Sequence, residues 1–372
     1  MEWFFTGLQF VGGVVALGVG AAALALFVDF VRSAKLREPM GFAQVHPALV
    51  LIGVTLYAFV ALLLLAGVVI LIAQVIALPF DVSDADTRSE FLFYILRLAG
   101  LVTVLGAVIA LPFTIIRLRL TQKQTDTATE GLLNDKINAA TESLYARRQV
   151  TKWTRKEGHK DVWEDDIVQR CAAIDRLEGL AKDNPAEIPR IARMLSVFVR
   201  ELSKEVPPVD MPEDVPVDEI RDSADALPAL RSDLEKAAQT LGRLTRYAKE
   251  NGSPLHGGEV DLRGANLQRA DLRGLDFEKA RFEGARLQGA VLIDARLQGA
   301  SLGEARLQRA KLRGAQLQRA DLKSAHLQGA DLLGAHLQWA DLVEAQLQGA
   351  DLYSAYLEGA DLEWADLEDV QW

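Results

Sequence analysis

ADLKSAHLQGADLLGAHLQWADLVEAQLQGADLYSAYLEGADLEWADL, residues 320–367, places a Leu at every fifth position and an Ala two residues before each one. A step of five suits no common element. On an α-helix it advances about 140° beyond a full turn, so the leucines would spread around every face. On a flat strand an odd step sends successive side chains to opposite faces. A chain that itself turns by about a quarter circle per five residues keeps every Leu inside.

The pattern extends from Leu262 to Leu367, which makes 22 centres. Phe277 and Phe282 are the only centres that are not Leu, and Val260 and Leu275 are the only departures from Ala. Two apolar positions in five point inward: Leu fills the axis and Ala lets the wall come close. Trp372 continues the spacing and is expected to plug the final turn. The run "GANLQRADLRG" (264–274) resembles the repeat of the pentapeptide-repeat family, A-(D/N)-L-X-X. The resemblance implies a right-handed quadrilateral β-helix over 255–372 with four pentapeptides per coil. At a strand spacing of about 4.8 Å its five and a half coils make a rod of roughly 26 Å.

Residues twenty apart then share a wall. Gln268, Gln288, Gln308, Gln328 and Gln348 form one ladder, and Gln298, Gln318 and Gln338 another on the opposite wall, both covering the coil without adding charge. Charge along the rod is polarised. Residues 255–325 hold 13 Lys/Arg and 9 Asp/Glu, whereas 326–372 hold 10 Asp/Glu and no Lys or Arg. The acidic end carries Trp339, Tyr353, Tyr356 and Trp364 at outward positions, a candidate protein interface. Residues 250–260 and the terminal "LEDVQW" are the candidate caps of the solenoid.

The first 120 residues are of another kind. Three apolar runs, 4–31, 48–78 and 91–116, are long enough to cross a bilayer and define a three-helix transmembrane segment. No basic stretch precedes the first, which argues against a cleaved signal peptide. Arg32, Lys35 and Arg37 lie between the first two runs, an acidic loop follows the second, and "RLRLTQK" follows the third. The positive-inside rule therefore sets the N-terminus outside and everything after residue 117 in the cytoplasm. Asp29 and Arg97 lie near span ends, where they can snorkel, with Gln74 the expected neighbour of Arg97. Gly12, Ala16 and Gly20 share one helix face and suit close packing within or between chains.

Residues 121–250 read as an α-helical cytoplasmic linker domain with a Pro-rich spacer at 206–217. Ile167, Cys171, Ile174 and Leu177 form one apolar stripe, and Ile191, Leu195, Phe198 and Leu202 another. The two helices are expected to form a hairpin, the second opened by Asn184 as N-cap with Pro185 and Glu187 in its first turn. "RRQVTKWTRKEGHKDVWEDD", residues 147–166, reads as a charged, turn-rich insertion with Trp153 and Trp163 packed locally. Leu227, Leu230, Leu234, Ala237, Leu241, Leu244 and Ala248 follow a heptad-like seam over 227–248, which either packs on the hairpin or joins two chains, with Gly242 weakening both. "IDRLEGLAKDNP", "LSVFVREL" and "LRSDLEKAAQTLGRL" are similar to helices of bacterial membrane-anchored pentapeptide-repeat proteins. That resemblance implies an inner-membrane, multi-pass protein.

No catalytic constellation stands out, so the chain reads as no enzyme, with no cofactor and no metal. The five histidines are dispersed; His326 and His336, ten apart, belong to opposite walls. Cys171 is the only cysteine and excludes an intrachain disulfide. Net charge is −10, against general nucleic-acid binding. The expected partners are the lipid bilayer and a protein, with self-association through Gly12, Ala16 and Gly20 or the 227–248 seam. Three functions compete: a membrane-anchored scaffold that displays the rod, a DNA-mimicking binder of a topoisomerase (as the family resemblance suggests), and a channel or transport-associated protein.

Overall fold

The computed structural model describes residues 47–77, 85–154, 158–205, 208–209, 226–255 and 259–372. They fall into two compact units, Met1–Leu132 and Leu133–Trp372. The run 4–31, with Gly12, Ala16, Gly20 and Asp29, lies outside the described residues, as does most of the spacer 206–217.

The first unit contains α1 (Pro47–Ala77) and most of α2 (Ala85–Leu144). Among the described residues, two helices are long and apolar enough to span a membrane. Thr103 and Thr114 inside the apolar stretch donate their hydroxyls to the carbonyls of Ala99 (2.8 Å) and Ala110 (3.0 Å), which removes the cost of a bare hydroxyl in an apolar setting. Arg97 lies over the Phe93 ring, 4.2 Å from its centroid, so the neighbour observed is an aromatic on its own helix. The expected boundary at residues 116–121 is not a helix boundary: α2 continues without a break to Leu144. Residues 117–144 contain no Pro and are rich in helix formers, so polarity changes at Arg117 while the backbone has no reason to stop.

The second unit opens with the last turns of α2, whose Ile137, Ala140 and Leu144 are buried. The stretch read as an irregular insertion is an antiparallel ribbon, β1 (Arg147–Thr154) paired with β2 (Gly158–Asp165). Trp153 and Trp163 share one face of it but are exposed rather than packed. Helices α3 (Ile167–Asp183), α4 (Ile188–Glu205) and α5 (Ser232–Glu250) follow, with a 3-10 turn at Pro185–Glu187. Asn184 stands at the N-cap position of this turn, as expected, but its side chain makes no cap bond there. Its N–H and its side-chain amide both donate to Leu180 C=O, at 3.0 and 3.3 Å, and so close α3. Ile174, Leu177, Ile191, Leu195, Phe198 and Leu202 are buried as their spacing requires. Ile167 is exposed, and Cys171 is half-buried, its thiol pushed up by burial. From the seam, Leu234, Ala237, Leu241, Leu244 and Ala248 are fully buried inside this chain, so the seam is not free to join two chains.

The β-helix occupies 259–372. Parallel bridges link residues twenty apart, from Asp261 with Arg281 to Asp351 with Gln371, so each coil holds four pentapeptides. Each corner is a turn closed by a hydrogen bond in which the N–H three residues after the centre donates to the carbonyl of the centre, as Ala265 N–H does to Leu262 C=O at 3.1 Å. The residue two after each centre has φ near +60°. Ten of these 22 residues are Gly and twelve are not, and none is β-branched. The sequence pattern implied the quarter turn but not this left-handed position, although the Gly enrichment there was its signature.

The helices are not a linker to the rod; they cap it. In inner coils the N–H before each centre donates to the coil above, as Arg281 N–H does to Val260 C=O (3.0 Å) and Arg286 N–H to Ala265 C=O (2.9 Å). The first coil has no coil above it, so its N–H groups form an open edge. Three of them are taken by side chains of α4 and α5: Asp261 by Ser196 Oγ (3.2 Å), Asn266 by Ser203 Oγ (3.0 Å) and Asp271 by Glu235 Oε1 (2.8 Å). Arg200–Asp261 and Lys249–Glu278 ion pairs, both 2.6 Å, clamp the rim. The candidate cap 250–260 is therefore corrected to α4 and α5. Gly242 belongs to this joint: a Cβ there would lie 2.7 Å from Leu275 Cβ and 3.1 Å from Phe277 Cζ. At the other end Trp372 is exposed and plugs nothing, and Leu357, Leu362, Leu367 and Val370 are only partly buried.

A buried ionic network ties the cap together. Asp233 has no exposed surface; Arg231 binds it at 2.6 Å and also reaches Asp165, while Arg170 bridges Asp165 (2.7 Å) and Asp233 (3.6 Å). Glu178 accepts from Arg243 at 2.8 Å and from Lys182 at 3.1 Å. Burial pushes the Asp233 and Glu178 carboxyls up, but Arg231 with Arg170, and Arg243 with Lys182, outweigh it and hold both below the ordinary range. Arg263, aided by Arg200, lowers Asp261 in the same way, against a smaller push from burial.

Two predictions follow from the cap. On an exposed helix Gly→Ala adds about 1 kcal/mol of stability; Gly242→Ala should instead destabilise by about 1–3 kcal/mol through overpacking, read as a lower Tm of the full chain. A depressed carboxylate contributes stability above its unfolded pKa of about 4 and loses it as pH falls through the folded value. The helical thermal transition should therefore move to lower temperature as pH falls below about 4, and a transition unchanged by acidification would show that the network contributes nothing.

Candidate partner-binding surface

The walls are named by their centres: wall a runs from Leu262 to Leu362, wall b from Leu267 to Leu367, wall c from Leu272 to Leu352, and wall d from Phe277 to Leu357. Chain order is a, b, c, d, so d adjoins a. Tyr353 stands in the turn from c to d. Tyr356 lies on d and stacks on His336 of the previous coil, centroids 4.6 Å apart and planes 9° from parallel. Trp339 stands in the turn from d to a, and Trp364 in the turn from a to b.

The four aromatics thus form a belt across two adjoining walls at the acidic end. Tyr353, Tyr356 and Trp339 surround wall d, and Trp364 marks the far edge of wall a. Asp341, Glu344, Asp361 and Glu363 lie between the two tryptophans, with Glu358 beside Tyr356. Exposure is 67% for Trp339, 60% for Tyr353, 47% for Tyr356 and 79% for Trp364. The chemistry presented is a row of flat apolar faces set among carboxylates, a surface suited to cationic side chains.

Local structure holds the belt in place. The Trp339 indole lies over Gly359, one coil on, where a Cβ would come within 2.7 Å of the ring. The Trp364 Nε1–H donates to Glu363 Oε1 at 3.0 Å. Both tryptophans occupy the left-handed turn position, with φ of +61°. A bulky residue pays about 1–2 kcal/mol there, where Gly pays none. The largest outward side chains therefore stand where the backbone tolerates them least, which is typical of positions kept for contact. His336 and Gly359, the supports of the belt, were not singled out from the sequence, although the twenty-residue register places each against its aromatic.

Other candidate groups do not converge. His326 lies in the Arg306–His326–Gln346 stack of wall b and His336 in the Gln316–His336–Tyr356 stack of wall d. Among the described residues no group of three or more His, Cys, Asp or Glu is placed to hold a metal ion.

The pattern of pentapeptide repeats (8 copies) matches residues 258–294, 290–329 and 330–369. A pentapeptide repeat protein of Nostoc Pcc 7120, alr5209, is 33% identical over 30% of this chain and 84% of its own, with a TM-score of 0.22. Residues 258–369 of this chain are pentapeptide repeats. HetL, a pentapeptide repeat protein involved in heterocyst differentiation regulation in Nostoc sp. strain PCC 7120, is 34% identical, covering 32% of this chain and 67% of HetL at a TM-score of 0.16. Rfr23 of the cyanobacterium Cyanothece 51142 is 31% identical, covering 28% of this chain and 64% of Rfr23 at a TM-score of 0.15. The match thus spans less than two thirds of the length of Rfr23. No curated protein matches the chain. The matched repeats coincide with the four-sided β-helix of 259–372.

Relieving the strained corner should be visible in stability. Trp364→Gly should stabilise the pentapeptide-repeat rod by about 1 kcal/mol, because it removes an unfavourable φ and little packing. Thermal unfolding of the full chain checks this, and a lower Tm would mean that Trp364 is packed in a way its exposure denies.

Proposed function

We propose that this protein is a non-enzymatic, membrane-anchored scaffold whose pentapeptide-repeat rod presents the belt of Trp339, Tyr353, Tyr356 and Trp364 to a basic protein partner. The observation that carries the reading is the placement of Trp339 and Trp364: widely exposed, in left-handed turns, among carboxylates and without a Lys or Arg from 326 to 372. Membrane anchoring is supported by α1 and α2, whose apolar side chains, Leu56, Ile76, Leu96 and Phe113 among them, face outward along the helices. So large an apolar exposure in water would be strongly unfavourable; in a bilayer it is the expected arrangement. The basic loop at Arg32–Arg37 and the basic stretch after residue 116 favour the rod on the cytoplasmic face of a bacterial inner membrane.

Mimicry of DNA is less well supported. Wall b carries no Asp or Glu from Asn266 to Gly349, so a continuous acidic stripe along the rod is interrupted. A channel would require polar pore-lining residues, which α1 and the apolar part of α2 offer sparsely.

Crosslinking in native membranes followed by mass spectrometry tests the proposal. The wild type should capture a basic protein, and Trp339→Ala with Tyr356→Ala should lower its recovery by about tenfold or more, as expected for aromatic hot spots. Recovery unchanged by the double substitution would move the interface off the belt. Release of the chain by alkaline carbonate would refute the anchor.

A further inference from the structure

Wall a of the last coil brings the two tryptophans of the belt to one level. Trp339 stands one coil earlier, but its indole lies over Gly359, where a Cβ would meet ring atoms at 2.7 to 2.9 Å. Gly359 is the corner that opens wall a of the last coil, and Trp364 is the corner that closes it. Between them Asp361 and Glu363 are exposed, while Leu362 packs against the core. One wall therefore runs from an indole, across two carboxylates, to a second indole.

Among the described residues neither carboxylate has a cation. Asp361 Oδ1 accepts the Glu363 N–H at 3.1 Å, a bond that Asp331, Asp341 and Asp351 repeat on their own rungs. Glu363 Oε1 accepts the Trp364 Nε1–H at 3.0 Å. Lys323, the last Lys or Arg of the sequence, is held by Asp341 of the same wall at 2.9 Å and leaves the last rung uncompensated. Glu344, one coil behind Trp364 in the same corner column, adds a further negative charge.

We infer that this wall is a clamp for one guanidinium group, so that an arginine side chain is the anchor by which the basic partner is held. The inference rests on the belt reading above and deepens it. A wall of three extended residues is about 10 Å long, so a cation at its middle lies about 5 Å from each corner, inside the roughly 6 Å over which an aromatic face attracts a charge. A guanidinium is flat and carries donors on two edges. It can lie against an indole and still donate to both Asp361 and Glu363, whose backbones are about 6.6 Å apart. A Lys ammonium is a strongly hydrated point charge and does not combine stacking with a forked donation. Arginine is therefore preferred to lysine. Gly359 is a positioning residue: it makes room for the Trp339 ring at the level of the carboxylates.

The test uses the full chain, solubilised in detergent and labelled with fluorotryptophan; Trp339→Phe and Trp364→Phe assign two of its six fluorine NMR signals. The probes are the blocked peptide Gly-Gly-Arg-Gly-Gly and its lysine and citrulline counterparts. The arginine peptide should shift both signals with an affinity about tenfold above that of the lysine peptide. Citrulline, of the same shape but neutral, should shift neither. Asp361→Asn with Glu363→Gln should lower the arginine affinity by about tenfold and abolish the preference. Gly359→Ala should lower it about threefold in the wild type and leave it unchanged in Trp339→Ala. The cost of a side chain at φ +72° is common to both backgrounds, so the difference between them reports the ring alone. Circular dichroism of each variant verifies the fold. Equal shifts by arginine and lysine, a shift by citrulline, or a Gly359→Ala effect that survives removal of Trp339 would each overturn the inference. If partner capture in native membranes depends on the belt but the arginine preference is absent, the clamp fails and the scaffold reading stands. An arginine preference with capture indifferent to the belt supports the clamp and removes the scaffold reading.

Discussion

The structure depends on one constraint: a five-residue step closes into a square coil only if each corner admits a residue with positive φ. The corner hydrogen bond, such as Ala265 N–H to Leu262 C=O, fixes the quarter turn. It leaves the Leu side chain on the axis and the Ala against the wall. Interior packing and the stacked backbone ladder between coils outweigh the strain at twelve non-glycine corners. Because the interior is uniform, individuality is confined to the walls, the corners and the two ends.

The ends differ. At the N-terminal end Ser196, Ser203 and Glu235 supply the acceptors that a preceding coil would have supplied. A helix with small polar residues seven apart can thus continue a β ladder, since two helical turns span about 10 Å, the scale of one coil wall. The departures from the repeat, Val260, Leu275, Phe277 and Phe282, all belong to this end, and Leu275 and Phe277 close on Gly242. What looks like decay of the pattern is the joint between two architectures. The ionic network around Asp233 then fixes the helices to one another through charge paired under low exposure, an arrangement whose value lies more in geometry than in net stability.

The walls divide the remaining work. Walls d and a present aromatics among carboxylates near the acidic end, whereas wall b alternates from arginine to carboxylate along its length. Both follow from the same rule that residues twenty apart stack, so a charge placed once in sequence becomes part of a column in space. The rod is in this sense a ruler: its interior sets the spacing, and the outward residues write on it.

Much of this was legible in the sequence. The period of five, the Leu and Ala positions and the two apolar helices at 48–78 and 91–116 required no tertiary information, because each reports a local repeat of hydrophobicity. The belt residues were legible too, as large side chains at outward positions. Tertiary structure alone decided the rest. Polarity at Arg117 suggested a boundary that the backbone ignores. Asn184 resembled a cap for the helix after it but closes the helix before it, since its amide reaches Leu180. The 227–248 seam left open packing on the hairpin or joining two chains; it packs on the hairpin within this chain, and Gly242, which looked like a weak point, fits the first coil of the β-helix, a surface remote in sequence whose shape no local pattern encodes. Sequence periodicity specifies which side of an element is apolar; which surface that side meets is a property of three-dimensional packing.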